Sequence, residues 1–391
     1  MSSLMPTYAR LPVAFTHGEG AHLLDTQGRR YLDGLSGIAV TNLGHAHPAV
    51  TEAIQRQAAA VLHTSNLYHI AAQEQLAESL SAITGMERLF FGNSGAEANE
   101  AAIKLARLYG HQRGVERPVI VVLESAFHGR TMATLSATGN RKIQAGFEPL
   151  VSGFVRAPRD DIDAVRLIAD NNPGIVAVLV EPIQGEGGIR PLGQQYLQEL
   201  RSLCDQREWL LMFDEVQSGN GRTGHHYNYL GLGLAPDVLT TAKGLGNGVP
   251  IGACMARGPA AAVFSAGHHG STYGGNPLAC AAAQAVIDSI AGDDLCARAT
   301  HLGSVIRSQL LSTVEDAAAI VDLRGEGLML GIELTRDCPE LVQQALDAGL
   351  LINVTDGSTI RLLPPLIMSD EEAAELGAGV GQLINNFHQH R

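Results

Sequence analysis

An α/β fold with a mostly parallel sheet follows from three observations. Short apolar runs alternate with amphipathic helical stretches from about residue 46 to residue 290. Several of those runs are continuously apolar, as in strands covered on both faces. They end in acids, glycines or a lone lysine, and open sheets carry their chemistry at the carboxyl ends of strands. At 391 residues the chain exceeds one ordinary core, so a second, smaller α+β unit is expected at its C-terminal end.

Taken in order, residues 1–45 hold Gly18-Glu-Gly20 and two strand-like stretches, 21–25 and 30–33, with a turn at Gly28. Helical periodicity covers 48–62 and 71–84. Leu89-Phe-Phe-Gly-Asn-Ser-Gly-Ala96 reads as strand and glycine turn, leading into an Ala-rich helix over 97–110. Strands are predicted at 119–123, 175–181, 210–214, 238–241 and 251–256, with helices at 194–206 and 277–290. After about 295 come a helix at 296–313, strands at 320–323, 329–334, 350–353 and 359–362, and a last helix from Asp370. The expected division is a segment 1–45 packed with the small unit, a large domain 46–290 and a small domain 291–391. No repeat or low-complexity linker interrupts it.

Composition removes several classes of function. Net charge is −13 and no Lys/Arg cluster forms a nucleic-acid footprint. The first residues lack a basic stretch followed by an apolar one, so no signal peptide is expected. Apolar runs stop well short of the ~20 residues that span a bilayer. Five scattered cysteines show no C-x-x-C pairing, which points to free thiols in a reducing, cytoplasmic setting. His268-His269 lacks acid or thiol partners at ligand spacing, so no metal is expected.

The informative stretch is Asp237-Val-Leu-Thr-Thr-Ala-Lys-Gly-Leu-Gly246. Lys243 sits at a glycine-rich turn after an apolar run, where desolvation lowers an amine's pKa and makes it a nucleophile toward carbonyls. A solvated loop lysine reads the same way in isolation. Upstream, Trp209-Leu-Leu-Met-Phe-Asp-Glu215 brings a buried strand to Asp214. That carboxylate needs a cationic partner there, or else serves as a helix cap. A lysine that condenses with an aldehyde, with an aspartate facing a pyridinium nitrogen, is the pattern pyridoxal phosphate imposes. The turn at Asn93-Ser-Gly-Ala96 opens a helix whose free amides suit a phosphate, and equally suit an ordinary capped helix.

With these residues in place, the chain resembles the class III pyridoxal-phosphate-dependent aminotransferases from Tyr8 to about Asp370. Further blocks carry the resemblance: Gly34 to Pro48, Phe127-His-Gly-Arg-Thr131, Glu181-Pro-Ile-Gln-Gly-Glu-Gly-Gly188, Gly221-Arg-Thr-Gly224 and Ser271-Thr-Tyr-Gly-Gly-Asn-Pro277. The resemblance implies a fold-type-I transferase with a mostly parallel, seven-stranded-type sheet. It implies that Lys243 bonds the cofactor aldehyde and that Asp214 keeps the ring nitrogen protonated. Phe127 and Val216 would sandwich the ring, and Gln217 would donate to its phenolic oxygen. Ser94, Gly95 and Ala96 would hold the phosphate, with Thr272 reaching that of the neighbouring subunit. That last match implies a homodimer with composite active sites.

For substrates, Arg130 resembles the arginine that clamps the amino donor's carboxylate, and Arg361 the one that binds the α-carboxylate of glutamate or 2-oxoglutarate. Glu186 resembles the glutamate that masks Arg361 when no α-carboxylate is near Lys243. Ser271 would touch the donor's acyl arm and Tyr8 its distal carboxylate. Within the class the resemblance runs toward enzymes of arginine metabolism that act on acetylornithine. It implies transfer of the 5-amino group of N2-acetyl-L-ornithine to 2-oxoglutarate, giving N-acetyl-L-glutamate 5-semialdehyde and L-glutamate. Succinylornithine, ornithine and 4-aminobutyrate remain open as donors, and so does an idle binding protein of the same fold. Ser218 stands where the class usually has threonine, a conservative change.

Overall fold

The computed structural model describes residues 3–389; Met1, Ser2, His390 and Arg391, the outer ends of two of the expected divisions, lie outside them. A seven-stranded sheet forms the centre. From edge to edge its strands are Arg88–Gly92, Gly252–Ala256, Val238–Thr241, Leu210–Asp214, Ile175–Val180, Val119–Leu123 and Phe154–Ala157. All run parallel except Gly252–Ala256, which is antiparallel to both neighbours. The reversal has a simple cause. Ten residues separate Thr241 from Gly252, fewer than the dozen or so that a crossover to a parallel strand requires. The apolar runs at 119–123, 210–214 and 238–241 are strands over those same residues, and the central ones are fully buried.

Helices cover both faces. Gly95–Gln112 packs on one face beside Ile120, Val176 and Met212. Gln194–Arg207 lies on the other, with Leu197 and Leu200 against Leu211 and Phe213. Several elements of the large sheet region escaped the sequence reading. Among them, Phe154–Ala157 is a four-residue edge strand whose first three residues are half-buried, and Ile162–Asn171 begins from an Asp161 cap. The helix expected over 48–62 ends at Ala58, which leaves Val61 and Leu62 exposed.

A second core joins the two ends of the chain. Ala21, Leu32, Leu43 and Val50 pack with Leu302, Ile306, Leu330, Ile360, Leu376 and Val380. Ile320–Glu326, Met329–Leu334, Thr359–Leu362 and Asn353–Thr355 form a four-stranded antiparallel sheet. The single strand expected over 350–353 is in fact two. Leu350–Leu351 pairs parallel with Leu32 and Asp33, while Asn353–Thr355 turns to pair with Thr359–Leu362. Buried Ile352 sits at the bend, so the apolar residues Leu350 to Ile352 lead without a break from one sheet to the other.

Candidate active site

The parallel strands put their carboxyl ends on one edge, and the predicted residues gather there. Asp214 closes its strand and stands in register with Thr240; Lys243 follows just beyond the end of that neighbouring strand. Lys243 holds a left-handed backbone, φ 44°, uncommon for a residue with a side chain. Burial and the Arg361 guanidinium push its amine down to about 8, against the opposing pull of Glu186, Asp214 and Glu181. A substantial neutral fraction near neutrality is what a nucleophilic amine needs.

Asp214 is not a helix cap. Its Oδ2 accepts from Asn99 Nδ2 at 2.7 Å and faces His128 Nδ1 at 2.8 Å; its Oδ1 accepts only the Val216 amide, at 3.1 Å. Asn99 is itself fixed, accepting from Thr240 Oγ1 at 2.7 Å and donating to the His128 carbonyl at 2.8 Å. The capping falls to Glu215 instead, whose carboxylate accepts the amides of Asn228 at 2.6 Å and Tyr229 at 2.9 Å. Neighbouring acids thus have separate duties: Asp214 is oriented by side chains toward the site, and Glu215 holds a loop.

Ser94 caps the 18-residue helix Gly95–Gln112, its Oγ accepting from Glu97 N at 3.2 Å. Such a start leaves the first amides free for an anion. Gly95 is there because Val216 leaves no space: a Cβ would lie 2.6 Å from Val216 Cγ1. The Val216 side chain therefore rests directly beside the helix start. Phe127 is half-buried, with the Arg130 guanidinium carbon 5.6 Å from its ring centroid. An amine, an oriented carboxylate, free helix amides and an aromatic ring make a set that fits pyridoxal phosphate. His128 is fully buried, and among the described residues its Nε2 has no hydrogen-bond partner.

Beside these lies a closed ion pair. Arg361, 1% exposed, donates from Nη1 to Glu186 Oε1 at 2.6 Å and from Nη2 to Asn353 Oδ1 at 2.7 Å. Gln217 Oε1 is 3.4 Å from the same Nη1, so Gln217 faces the pair as well as the cofactor position. Burial works to raise the Glu186 carboxyl, but Arg361, with Lys243 and Arg130, holds it below the usual carboxylate range. The glycines around Glu186 are not a flexible hinge. A Cβ on Gly185 would meet the Gln217 amide at 2.5 Å, and the Glu186 carbonyl is tied to Thr355 Oγ1 at 2.6 Å. Glu186 can move its side chain, not its backbone.

Three predicted residues sit apart from this cluster. Ser271 is used locally, accepting from Gly274 N at 3.0 Å and Asn93 Nδ2 at 3.3 Å. Thr272 beside it is exposed. Tyr8 is 75% exposed, with Arg10 over its ring.

Other residues at the site lie in blocks that carried the resemblance but were given no role from the sequence. Glu181 is buried and accepts from Phe127 N at 2.8 Å and Gly185 N at 3.0 Å, joining the aromatic ring's loop to the Glu186 loop; burial pushes it up to about 7. Ser36, Gly37, Ile38 and Ala39 form a left-handed turn, φ 51° to 69°, packed on the Lys243–Leu245 turn. The Asp33 carboxylate pins its start by accepting Leu35 N and Ser36 N. Fully buried Arg222 donates to Asn42 Oδ1 and to the carbonyls of Leu328 and Pro364. It thereby fastens three distant stretches beside Arg361. An apolar–polar pattern cannot disclose a residue whose partners are backbone carbonyls far away in sequence.

Residues 4–384 match the family model described as aminotransferase class III. An acetylornithine aminotransferase of Nitrosomonas europaea is 54% identical, with the whole of both chains covered. Among solved structures, an ornithine aminotransferase of Toxoplasma gondii, described with partial occupancy of PLP at its active site, superposes with a TM-score of 0.93 at 31% identity, over 99% of this chain and 93% of that one. An N-acetylornithine aminotransferase of Stenotrophomonas maltophilia K279a superposes with a TM-score of 0.86 at 34% identity, over 98% of each chain.

Proposed function

The chain belongs to the class III aminotransferases, and on that premise we propose that it moves the 5-amino group of N2-acetyl-L-ornithine to 2-oxoglutarate, in arginine metabolism. The cofactor is pyridoxal phosphate, whose aldehyde carries the amino group between substrates and whose protonated ring draws electrons from the carbon being deprotonated. The observation that carries the substrate reading is the closed Glu186–Arg361 pair beside Lys243. Acetylornithine presents an amine remote from its carboxylate, so Arg361 has no anion to bind and must be masked. Glutamate presents an α-carboxylate next to its amine, which displaces Glu186 and takes Arg361. Arg130 binds the far carboxylate of either substrate, in the forked geometry guanidinium offers.

The remaining steps fall to neighbouring side chains. Lys243 Nζ is the amine that would hold the cofactor aldehyde, and when freed by the substrate amine it would serve as the base that moves the substrate proton. Asp214, fixed by Asn99 and His128, keeps the ring nitrogen protonated. Phe127 and Val216 would hold the ring between them, Gln217 would meet its phenolic oxygen, and Ser94, Gly95 and Ala96 would hold the phosphate.

The working unit in this reading is a cytoplasmic homodimer. Exposed Leu62, Leu67, Tyr68 and Tyr273 surround the loop that carries Thr272, and Asn66 donates to the carbonyls of Ser271 and Gly274. A clustered apolar surface of this kind suits a second copy. Seated there, Thr272 would reach the partner's phosphate, while Ser271 would touch the donor's acyl arm and Tyr8 its distal carboxylate. The second core draws on both ends of the chain and also on Val50, Ala282 and Val286, so the divisions proposed at about 45 and 290 rest on the sequence pattern. Donor profiling tests the activity. With saturating 2-oxoglutarate, acetylornithine should exceed succinylornithine, ornithine and 4-aminobutyrate in kcat/KM by about tenfold or more. A higher value for any of the three would replace the donor assigned here.

A further inference from the structure

The masked state of Arg361 is in view, but the unmasked one raises a question of charge. When glutamate is bound, its two carboxylates occupy Arg361 and Arg130, the two guanidiniums closest to Glu186 in charge interaction. The displaced Glu186 carboxylate then needs another cation, because a half-buried carboxylate without a partner is costly. It cannot leave by loop movement, since its backbone is held by Thr355 and packed against Gln217. Its side-chain torsions remain free, and the side chain is 38% exposed.

The exposed side of Glu186 opens on a cavity of about 610 Å³ that Phe127 and Glu186 line together with Asn140, Arg141 and Lys142. Arg141 and Lys142 begin a short turn capped by Asn140, whose Oδ1 accepts Lys142 N at 3.0 Å. Both side chains are exposed, and among the described residues neither has a carboxylate within ion-pair distance. Arg141 also lies near enough to Arg156 for the two guanidiniums to repel. Asp337 and Asp356 line the same cavity, but Asp356 is drawn toward Arg190, 3.7 Å away. Two cations without an ion-pair partner among the described residues thus share with Asp337 a space into which the Glu186 carboxylate can turn.

We infer that Arg141 and Lys142 receive the Glu186 carboxylate when an α-carboxylate takes Arg361, so that this pair sets how readily the enzyme accepts its second substrate. The inference rests on the masking role given to Glu186 above. Arg141 and Lys142 are positioning residues: they touch Glu186 rather than substrate. They stabilise only the unmasked state, so they act in the half-reaction with glutamate or 2-oxoglutarate and not in the one with acetylornithine.

The test measures each half-reaction separately in the holoenzyme by stopped-flow absorbance. Replacing both cations, Arg141→Gln with Lys142→Gln, should lower kcat/KM for glutamate about fivefold and leave acetylornithine within about twofold. The charge-preserving pair Arg141→Lys with Lys142→Arg should restore most of the loss. In a Glu186→Ala background the two glutamine substitutions should have no further effect, because nothing remains to be received. Unchanged glutamate kinetics would overturn the inference, as would equal losses in both half-reactions. A loss that persists without Glu186 would overturn it too, since the cations would then be acting on substrate. Failure of the masking role looks different: Glu186→Ala alone would leave the ratio of the two half-reactions as in the wild type. Should the double substitution not fold, Lys142→Gln alone is read by the same criteria.

Discussion

At the residue scale, the amine of Lys243 is tuned by charges that come from elsewhere in the chain. Burial and Arg361 lower it to about 8, and Glu186 opposes them. In the role proposed for Lys243, the neutral amine is the form that would capture the cofactor aldehyde. Capture by apo-protein should therefore accelerate as pH rises through about 8 and level off above it. Arg361→Ala removes a cation that disfavours protonation, so the midpoint should move to higher pH. Glu186→Ala removes an anion that favours protonation, and the midpoint should move lower. Stopped-flow mixing with pyridoxal phosphate, followed by visible absorbance across the neutral and alkaline range, reads both; shifts in the same direction would refute the coupling. Asp214→Asn keeps the shape of the side chain and loses its charge. Single-turnover proton transfer at saturating cofactor should slow by about a hundredfold or more, as for other preorganised charges. A rate near wild type would reduce Asp214 to a structural residue. The identities of both residues were legible in sequence, because each stands where an apolar run ends. Their tuning was not, because Arg361 lies 118 positions beyond Lys243.

At the scale of elements, the loop after Asp214 is held by an acid that costs stability as pH rises. Glu215 accepts two backbone amides and the Ser218 hydroxyl, yet burial pushes it from 4.5 up to about 7. Between those two values the folded chain holds a proton that the unfolded chain has released, so this group's contribution is fullest below 4.5 and falls as pH climbs to about 7. Glu215→Gln cannot ionise and removes that slope, but it also turns one acceptor into a donor facing a backbone amide. The variant should be less stable by about 1–3 kcal/mol. Its deficit should shrink as pH rises through the same window. Denaturant midpoints on either side of the window check this, and a deficit that grows with pH would contradict it. The sequence marked Asp214 and Glu215 alike as acids at a strand end. Only the return of the chain at Asn228 and Tyr229 gave them different work.

For the whole molecule, the strongest expectation is a shared site. If Thr272 completes the neighbour's phosphate cup, a Lys243→Ala protein and a Thr272→Ala protein should partly rescue one another after subunit exchange. In the mixed dimer one site carries both changes and the other neither. At limiting cofactor, activity should rise toward about half that of the wild type in the mixed dimers. Proven exchange with no recovery would place both residues in one subunit's site. The exposed Leu62, Leu67, Tyr68 and Tyr273 belong to the same expectation: Leu67→Ser with Tyr68→Ser should weaken association in sedimentation.

The sequence by itself determined six of the seven strands of the sheet and its active edge. Short apolar runs bounded by glycines and acids read as strands covered on both faces, and parallel strands release Asp214, Lys243, Phe127 and Glu186 on one side. It also determined the helix that follows the glycine turn, read from 97 and found to start at Gly95, because its Ala-rich stretch is a local signal. The tertiary structure alone decided the reversed strand at Gly252, set by the length of its connection, and the split at Ile352, where one apolar run serves two sheets. It decided that the glycines beside Glu186 are there for close packing and not for movement. It also decided which groups hold the site together: Asn99 and His128 on Asp214, Glu181 between two loops, and Arg222 across three stretches of chain. Periodicity and local motifs report a residue's neighbours along the chain. Buried charges and their partners are fixed by approach between distant segments, and one sequence carries no direct record of that.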